Sequence, residues 1–451
     1  MIESILRGTL GIVLILAIAL AFSRHRRDVR WSLVGKGLLL QLVFGLLVIK
    51  GEALRTFWTP LGWPQGAFDF LSTAFVKILG FTTEGAAFIF GPLASSPGTT
   101  ESLGFFFAFQ VLPTIIFFAS LMAVLYHLGI MQRIVQGMAW LMQKTLGTSG
   151  AESLSNTANI FIGQTEAPLM IRPFLKDLTE SELLTVMVGG LATIAGGVMA
   201  AYVQMLGFSY AEVHGIPISE AQVRFAAQLL GASIMAAPAG IVISKILLPE
   251  TGVPLTLGQV RVPREKTANN VIDAAASGAS DGLKLALNIA AMLLAFIALI
   301  ALSNYLLGLV GRIGGLNGTL TAIFGKPLSL ELLFGLVLQY VAYGIGIPWG
   351  EAFQVGSLLG TKLVLNEFVA YLDMSTMLSS GALYSEKAIT MTAFALCGFA
   401  NFSSIAILMG GLGPLAPERR GDISRLGLRA LLGGTLATLM TAAIAGMLSS
   451  V

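Results

Sequence analysis

Asn159-Ile-Phe-Ile-Gly-Gln-Thr-Glu-Ala-Pro168 and Lys362-Leu-Val-Leu-Asn-Glu-Phe-Val-Ala-Tyr371 interrupt a sequence that is otherwise of membrane grade. Each places a glutamate, Glu166 or Glu367, where an unpaired acid at a helix centre would cost about 2.5–3.5 kcal/mol. Such residues at matching places in the two halves of a chain mark a site rather than a surface. Each break is flanked by arms of roughly a dozen residues, about 18–20 Å as helix and too short to cross a hydrocarbon core of roughly 30 Å. A re-entrant hairpin that dips to the midplane and returns fits them. The hairpins are expected over 150–180 and 350–384, with Gly163 in a left-handed position at the first tip, Pro168 in the first turn of its second arm and Asn366 reversing the chain in the second.

The surroundings agree with a membrane setting. Of 451 residues 55% are hydrophobic and 11% charged, against roughly 25% charged in soluble domains, and the mean hydropathy is +0.82. A net charge of +3 gives no basis for binding a nucleic acid polymer, and the single cysteine, Cys397, excludes a disulfide framework or Cys-rich metal site. His25, His127 and His214 are too far apart for a local metal motif, and no HExxH or P-loop sequence is present. The apolar start, Gly11–Phe22, reads as a retained first span.

Eight apolar stretches have the length of a span: about 5–23, 31–50, 104–128, 182–208, 222–248, 284–311, 386–412 and 424–449. The basic segment Ser23–Arg30 and the clusters Arg172/Lys176, Arg261/Arg264/Lys266 and Arg419/Arg420/Arg425/Arg429 all fall on the cytoplasmic side if both termini lie outside. The stretch 51–101, with Glu52, Asp69, Glu84 and Glu101, then lies outside as a loop. Gly129–Gly147 has the polar and apolar faces of an interfacial helix, and Ser329–Trp349 is a second, more apolar candidate. Trp31, Trp58, Trp63, Trp140 and Trp349 stand at span ends, where aromatic belts belong.

The order span, interfacial helix, hairpin, span, span occurs twice, over 104–248 and 284–451. An N-terminal segment, 1–103, precedes the two copies, and a cytoplasmic linker, 249–283, joins them. The hairpins hand over to Ser181-Glu182 and Ser385-Glu386. An odd number of crossings per copy makes the repeats inverted, as in secondary transporters with broken helices at a midplane site. The spans after each hairpin are also interrupted, by Thr193-Ile-Ala-Gly-Gly-Val198 and by Gly398-Phe-Ala-Asn-Phe-Ser-Ser404. Unwound backbone at that depth survives only when buried in protein or facing water. Hairpin tips and breaks together would make one polar cavity with two carboxylates, two amides, hydroxyls and an aromatic. That set suits a neutral, polyhydroxylated, partly flat solute, and Asn159, Thr193 and tip carbonyls offer hard oxygen ligands to a monovalent cation. Ser403 and Ser404 point in different directions, so at most one is a ligand. Lys362 reads as structural, neutralising a neighbour or snorkelling, and Asp373 and Glu386 as boundary residues.

Three of these motifs carry a family likeness. Gly163-Gln-Thr-Glu-Ala-Pro168 resembles the first hairpin of concentrative nucleoside transporters. Gly360-Thr-Lys-Leu-Val-Leu-Asn-Glu-Phe-Val-Ala-Tyr371 is similar to that family's Gly-x-Lys-x-x-x-Asn-Glu-Phe-Val-Ala signature, and Phe399-Ala-Asn-Phe-Ser-Ser404 to its next broken helix. The resemblance covers about 100–449. It implies an all-α polytopic protein with eight transmembrane helices and two re-entrant hairpins, assembled as a homotrimer in the bacterial inner membrane. A scaffold including the third and sixth spans would hold a mobile body of both hairpins with spans four, five, seven and eight, moving elevator-fashion. It further implies that Gln164, Thr165 and Glu166 contact the nucleobase with Val198 packed against it. Glu367, Asn401 and Ser404 would hold the ribose and Phe399 would line the pocket, while Asn159, the Ile162 carbonyl, Thr193 and the Ile194 carbonyl would hold sodium. The function so implied is cation-coupled symport of nucleosides of the uridine, cytidine and adenosine class, with no cofactor and sodium as coupling ion. Thr193 stands where serine is expected for sodium coupling, so proton coupling stays open beside it. A membrane-embedded enzyme using paired carboxylates is the remaining alternative, without a nucleophile or metal motif to support it.

Overall fold

The computed structural model describes residues 2–50, 63–95, 102–258, 268–324 and 326–449. Glu52, Trp58, Glu101 and the cluster Arg261/Arg264/Lys266 lie outside the described residues, as does the side chain of Trp63. The described chain is helical apart from an isolated antiparallel bridge between Ser149 and Leu257. Its helices are α1 Ile2–Ala21, α2 Trp31–Ile49, α3 Trp63–Phe90, α4 Phe107–His127, α5 Ile130–Leu146, α6 Gly150–Ala158, α7 Glu180–Ala192, α8 Gly196–His214, α9 Ile218–Leu247, α10 Val271–Val310, α11 Leu316–Phe324, α12 Leu330–Ile345, α13 Trp349–Val364, α14 Glu367–Ser379, α15 Glu386–Leu396, α16 Phe402–Leu412 and α17 Arg420–Ser449.

Among the described residues eight helical stretches are long and apolar enough to cross a membrane. Seven lie at expected spans. The eighth is α3, in the stretch expected to be an outer loop. Its Ser72, Leu79 and Ala86, seven residues apart, are buried, and Phe75 meets Phe118 of α4 with ring centroids 4.8 Å apart. Asp69, Lys77 and Glu84 lower its hydropathy yet sit on its exposed side, so a helix with one packing stripe forms where average composition suggested none. The expected span 386–412 is broken where its interruption was expected, into the two short helices α15 and α16, divided at residues 397–401. The sixth span also begins earlier than expected. α10 runs 40 residues because its small-residue start lies against α4, where a Cβ on Gly278 or Gly282 would come within 2.8 Å of α4. Such small-xxx-small spacing lets two helix backbones approach.

Both interfacial candidates are helices. α5 carries a buried stripe of Met131, Val135, Ala139, Met142 and Leu146 and is bounded by left-handed glycines Gly129 and Gly147. α12 turns through 117° into α13.

The hairpins form, and they enter from opposite ends. Hairpin 1 is α6 followed by an 11-residue 3-10 helix, Ala167–Asp177, in which Pro168 and Pro173 remove donors that an α-helical ladder would need. At its open end Arg419 donates to the carbonyls of Lys176 (3.1 Å) and Leu178 (2.5 Å), and Glu180 pairs with both Arg24 (3.0 Å) and Arg425 (2.7 Å). These contacts gather three of the basic segments at one end of the molecule. Hairpin 2 is α13 and α14. Its open end lies at the other end of the molecule, where Arg7 donates to the Ile347 carbonyl at 2.9 Å and Glu351 accepts from the Tyr384 and Ser385 amides, both at 2.9 Å. The inverted arrangement is therefore visible in the packing.

Burial separates an inner body from an outer shell. The apolar windows of α7–α8, α9 and α17 are 78–83% buried, whereas those of α1, α2, α3, α4 and α10 are 17–33% buried. The inner body is the one that holds the hairpins.

Candidate functional site

Local capping decides where the site helices start and stop. Ser149 and Glu152 form a reciprocal capping box on α6, and Thr179 and Glu182 do so on α7. In the second repeat Asn366 caps α14, accepting from the Val369 amide at 2.9 Å, and Asn401 caps α16, accepting from the Ser404 amide at 2.8 Å. Asn366 has φ −164°, and among the described residues no non-glycine has positive φ. It therefore acts as an N-cap, not as the left-handed reversal expected of it. Gly163 is likewise not among the positive-φ glycines. Its reason is steric: a Cβ there would lie 2.3 Å from Glu166 Oε2, because the carboxylate folds back over the tip.

The two asparagine caps put Glu367 and Asn401 at the starts of helices that face each other. Asn401 Nδ2 donates to Glu367 Oε2 at 3.1 Å, and Tyr202 Oη from α8 donates to Glu367 Oε1 at 3.0 Å. Glu367 is 5% exposed, so these donors, with the N-terminal end of α14, offset the cost of burying the charge. Beneath them Tyr202 stacks on Tyr371 with centroids 4.3 Å apart, and Tyr371 Oη donates to the Ala393 carbonyl at 2.7 Å. Sequence reasoning missed Tyr202, which is far along the chain from its partner. The one visible cue was a phenol in the middle of an apolar span.

Hairpin 1 reaches the same place. Gln164 Nε2 lies 3.5 Å from Ser404 Oγ as its donor, and Thr165 packs against α16 so closely that a Cβ on Gly411 would lie 2.8 Å from its methyl. Glu166 is exposed and accepts from Thr165 Oγ1 at 3.0 Å. Ser404 is buried, whereas Ser403 turns back to donate to Asn401 Oδ1 at 2.7 Å, which leaves Ser404 as the serine on the shared face. Val198 is buried at the start of α8 and Phe399 is half-buried in the α15–α16 break. Thus hairpin 1 and α16 meet directly, and Glu367 joins them through Asn401. The two acids themselves are held by separate partners, Glu166 by Thr165 and Glu367 by Tyr202 and Asn401.

A second group of oxygen-bearing residues lies on hairpin 1 and at the α7–α8 break. Gly196 N–H donates to the Phe161 carbonyl at 3.1 Å, which seats the descent of hairpin 1 against the break. Asn159, Thr193 and Ile194 are each 1% exposed and Ile162 is half-buried. Thr193 Oγ1 gives its proton to the Gly189 carbonyl at 2.9 Å, and Asn159 Oδ1 is a buried acceptor without a hydrogen-bond partner among the described residues. Neutral oxygens with free lone pairs suit a monovalent hard cation.

Comparison with known proteins places this arrangement. Residues 10–93 and 228–446 match the families described as Na+ dependent nucleoside transporter N-terminus and C-terminus, and residues 108–209 match one described as nucleoside recognition. Sodium/nucleoside cotransporter 1 of Rattus norvegicus is 41% identical over 97% of this chain, which spans 63% of that protein's length. The chain belongs to the concentrative nucleoside transporter family. Within that family the transporter YutK of Bacillus subtilis is 46% identical, over 98% of this chain and 99% of its own. The solved structure of CNTnw in an inward-facing substrate-bound state superposes with a TM-score of 0.83 at 40% identity, covering 99% of this chain and 100% of that one. A variant of CNTnw in an intermediate state gives 0.84. A concentrative nucleoside transporter is a membrane carrier, and its relatives and fold are not those of enzymes, which removes the paired-carboxylate enzyme.

Proposed function

We propose that the protein is a sodium-coupled symporter that concentrates nucleosides into the cell. The observation that carries the reading is the Glu367 carboxylate: buried, held by Tyr202 and Asn401, at the tip where hairpin 2 meets the α16 cap. A carboxylate that accepts from two vicinal hydroxyls makes charge-assisted bonds stronger than neutral ones, so a ribose seated there can replace some of the existing donors. Asn401 and Ser404 supply the remaining ribose contacts. Gln164, Thr165 and Glu166 present amide, hydroxyl and carboxylate groups to a nucleobase, with Val198 and Phe399 as apolar walls. Sodium binds at Asn159 Oδ1, Thr193 Oγ1 and the carbonyls of Ile162 and Ile194. Occupying those oxygens ties hairpin 1 to the α7–α8 break, which orders the tip that reads the base, and this is the physical link between cation and substrate.

The repeats 104–248 and 284–451 form the working unit, after residues 1–103 and joined by 249–283. In this reading the buried body of α7–α9, α15–α17 and both hairpins moves against α4 and α10, in a homotrimer in the bacterial inner membrane with both termini outside. Uptake of labelled uridine and adenosine into proteoliposomes, with sodium and pH gradients imposed separately, tests the coupling. Concentrative uptake driven by sodium alone is expected. Uptake that follows the pH gradient and ignores sodium would replace it with proton coupling.

A further inference from the structure

Each repeat contains a junction where the first hairpin arm ends beside the break of the following span. In the first, α6 ends at its C-cap Asn159 and α7 at its C-cap Thr193. In the second, α13 ends at Leu365 and α15 at Cys397. Thr193 and Cys397 follow Ser181 and Ser385 at equal separations, so they are equivalent positions of the inverted repeat. A helix C-terminus carries carbonyls without intrahelical donors and a partial negative charge. At membrane depth that end needs a positive partner or donors.

The two junctions meet this need differently. The first offers Asn159 Oδ1 as an unpartnered buried acceptor and the lone pairs of Thr193. The second is already filled. Lys362, in the last turn of α13 and 3% exposed, donates through Nζ to the Ala395 carbonyl of α15 at 2.8 Å and to Thr438 Oγ1 of α17 at 3.1 Å. Among the described residues it has no carboxylate within ion-pair distance, so its charge rests on the end of α15 and a hydroxyl. An ammonium so placed does not snorkel, and it acts on Glu367 through space, without a direct ion pair. The second junction is also a poor seat for a free hard cation, since Cys397 offers a soft sulfur that lies 3.6 Å from Ser233 Oγ and 3.7 Å from the Leu229 carbonyl.

We propose that the Lys362 ammonium is a tethered cation that occupies in the second repeat the place a mobile sodium ion takes in the first, and thereby holds coupling at one cation per nucleoside. The proposal rests on the reading of the first junction as a sodium site. The tether satisfies the end of α15 in every state of the cycle, so hairpin 2 and the α15–α16 break stay joined while the hairpin 1 junction opens and closes with its ion.

Equilibrium binding of radiolabelled sodium to detergent-purified protein, without nucleoside, tests this. One sodium per protomer is expected for the native chain and two for Lys362→Ala/Cys397→Ser, which clears the ammonium and supplies a hard oxygen. In proteoliposomes the double variant should show a steeper sodium dependence of uridine uptake, with a Hill coefficient moving from near one towards two. A double variant that binds no more sodium than the native chain overturns the proposal. So does Lys362→Met, of nearly the same length, if it keeps native sodium-driven uptake; that readout decides the matter if the double variant does not fold. If the native chain binds no sodium, the reading of the first junction fails by itself. The tether then still stands or falls on whether the double variant binds one ion or none.

Discussion

Tyr202 donates its hydroxyl to Glu367 at 3.0 Å and stacks its ring on Tyr371, so the middle of the first broken span holds the acid at the tip of the second hairpin. The two halves of the inverted repeat thus share one carboxylate. A hydrogen bond to a charged group contributes about 1.5–3 kcal/mol. Tyr202→Phe keeps the ring packing and removes that bond, which exists without substrate, so the melting temperature of the substrate-free protein should fall, and uridine affinity should fall roughly tenfold because the carboxylate loses a group that aims it. Calorimetric titration of uridine checks this, and unaltered affinity would show that Tyr202 only packs.

Glu367→Gln keeps the shape of the side chain but loses its charge, and the ribose hydroxyls lose their strongest acceptor. Uridine uptake should be abolished. The decisive readout is competition for equilibrium binding of labelled uridine: 2′-deoxyuridine and 3′-deoxyuridine should displace it from the native protein more weakly than uridine does, and this ranking should flatten in the residual binding of the variant. A variant that still ranks them as the native protein does would move the ribose site away from Glu367.

At the first junction, Thr193→Val replaces the hydroxyl by a methyl of similar volume, while Thr193→Ser retains it. Half-saturating sodium should rise by about tenfold in the first and stay within about twofold in the second, as expected when one hard ligand is lost. Uridine affinity at saturating sodium should be unchanged in both. Equal sodium dependence in the valine variant would place the cation elsewhere.

Two glycines separate recognition from stability. A Cβ on Gly163 meets the free end of Glu166, whose side chain is exposed and can swing away. Gly163→Ala should therefore weaken nucleobase discrimination between uridine and adenosine while leaving the melting temperature near native. A Cβ on Gly189 would lie 2.0 Å from Asn156 Oδ1, inside the closely packed α6–α7 contact. Overpacking of this kind costs about 1–3 kcal/mol, so Gly189→Ala should lower the melting temperature in detergent. The opposite pattern in the two variants would refute the assignment of Gly163 to the tip.

Neighbouring residues were enough to establish a helical membrane protein, because apolar runs near 20 residues long have one stable solution in lipid. They were also enough for both hairpins, because acids, amides and prolines in arms too short to cross must turn back. The periodicity of α5 showed in the same way, as did the breaks at Thr193 and Asn401, through polar groups in otherwise apolar spans. Within the stretch read as an outer loop, that reading failed over α3, Trp63–Phe90, because the packing stripe of Ser72, Leu79 and Ala86 is defined by what lies against it, and average hydropathy does not show it. Which side chains meet was settled in three dimensions alone. Tyr202 and Glu367, Gln164 and Ser404, and Lys362 and the Ala395 carbonyl are brought together by packing between distant elements. The expectation that paired glutamates divide the work of one site leaves open how each acid is held. The fold shows that Glu367 is buried and gripped while Glu166 curls over its own tip, since burial and partners are properties of the assembled helices and not of the residues alone.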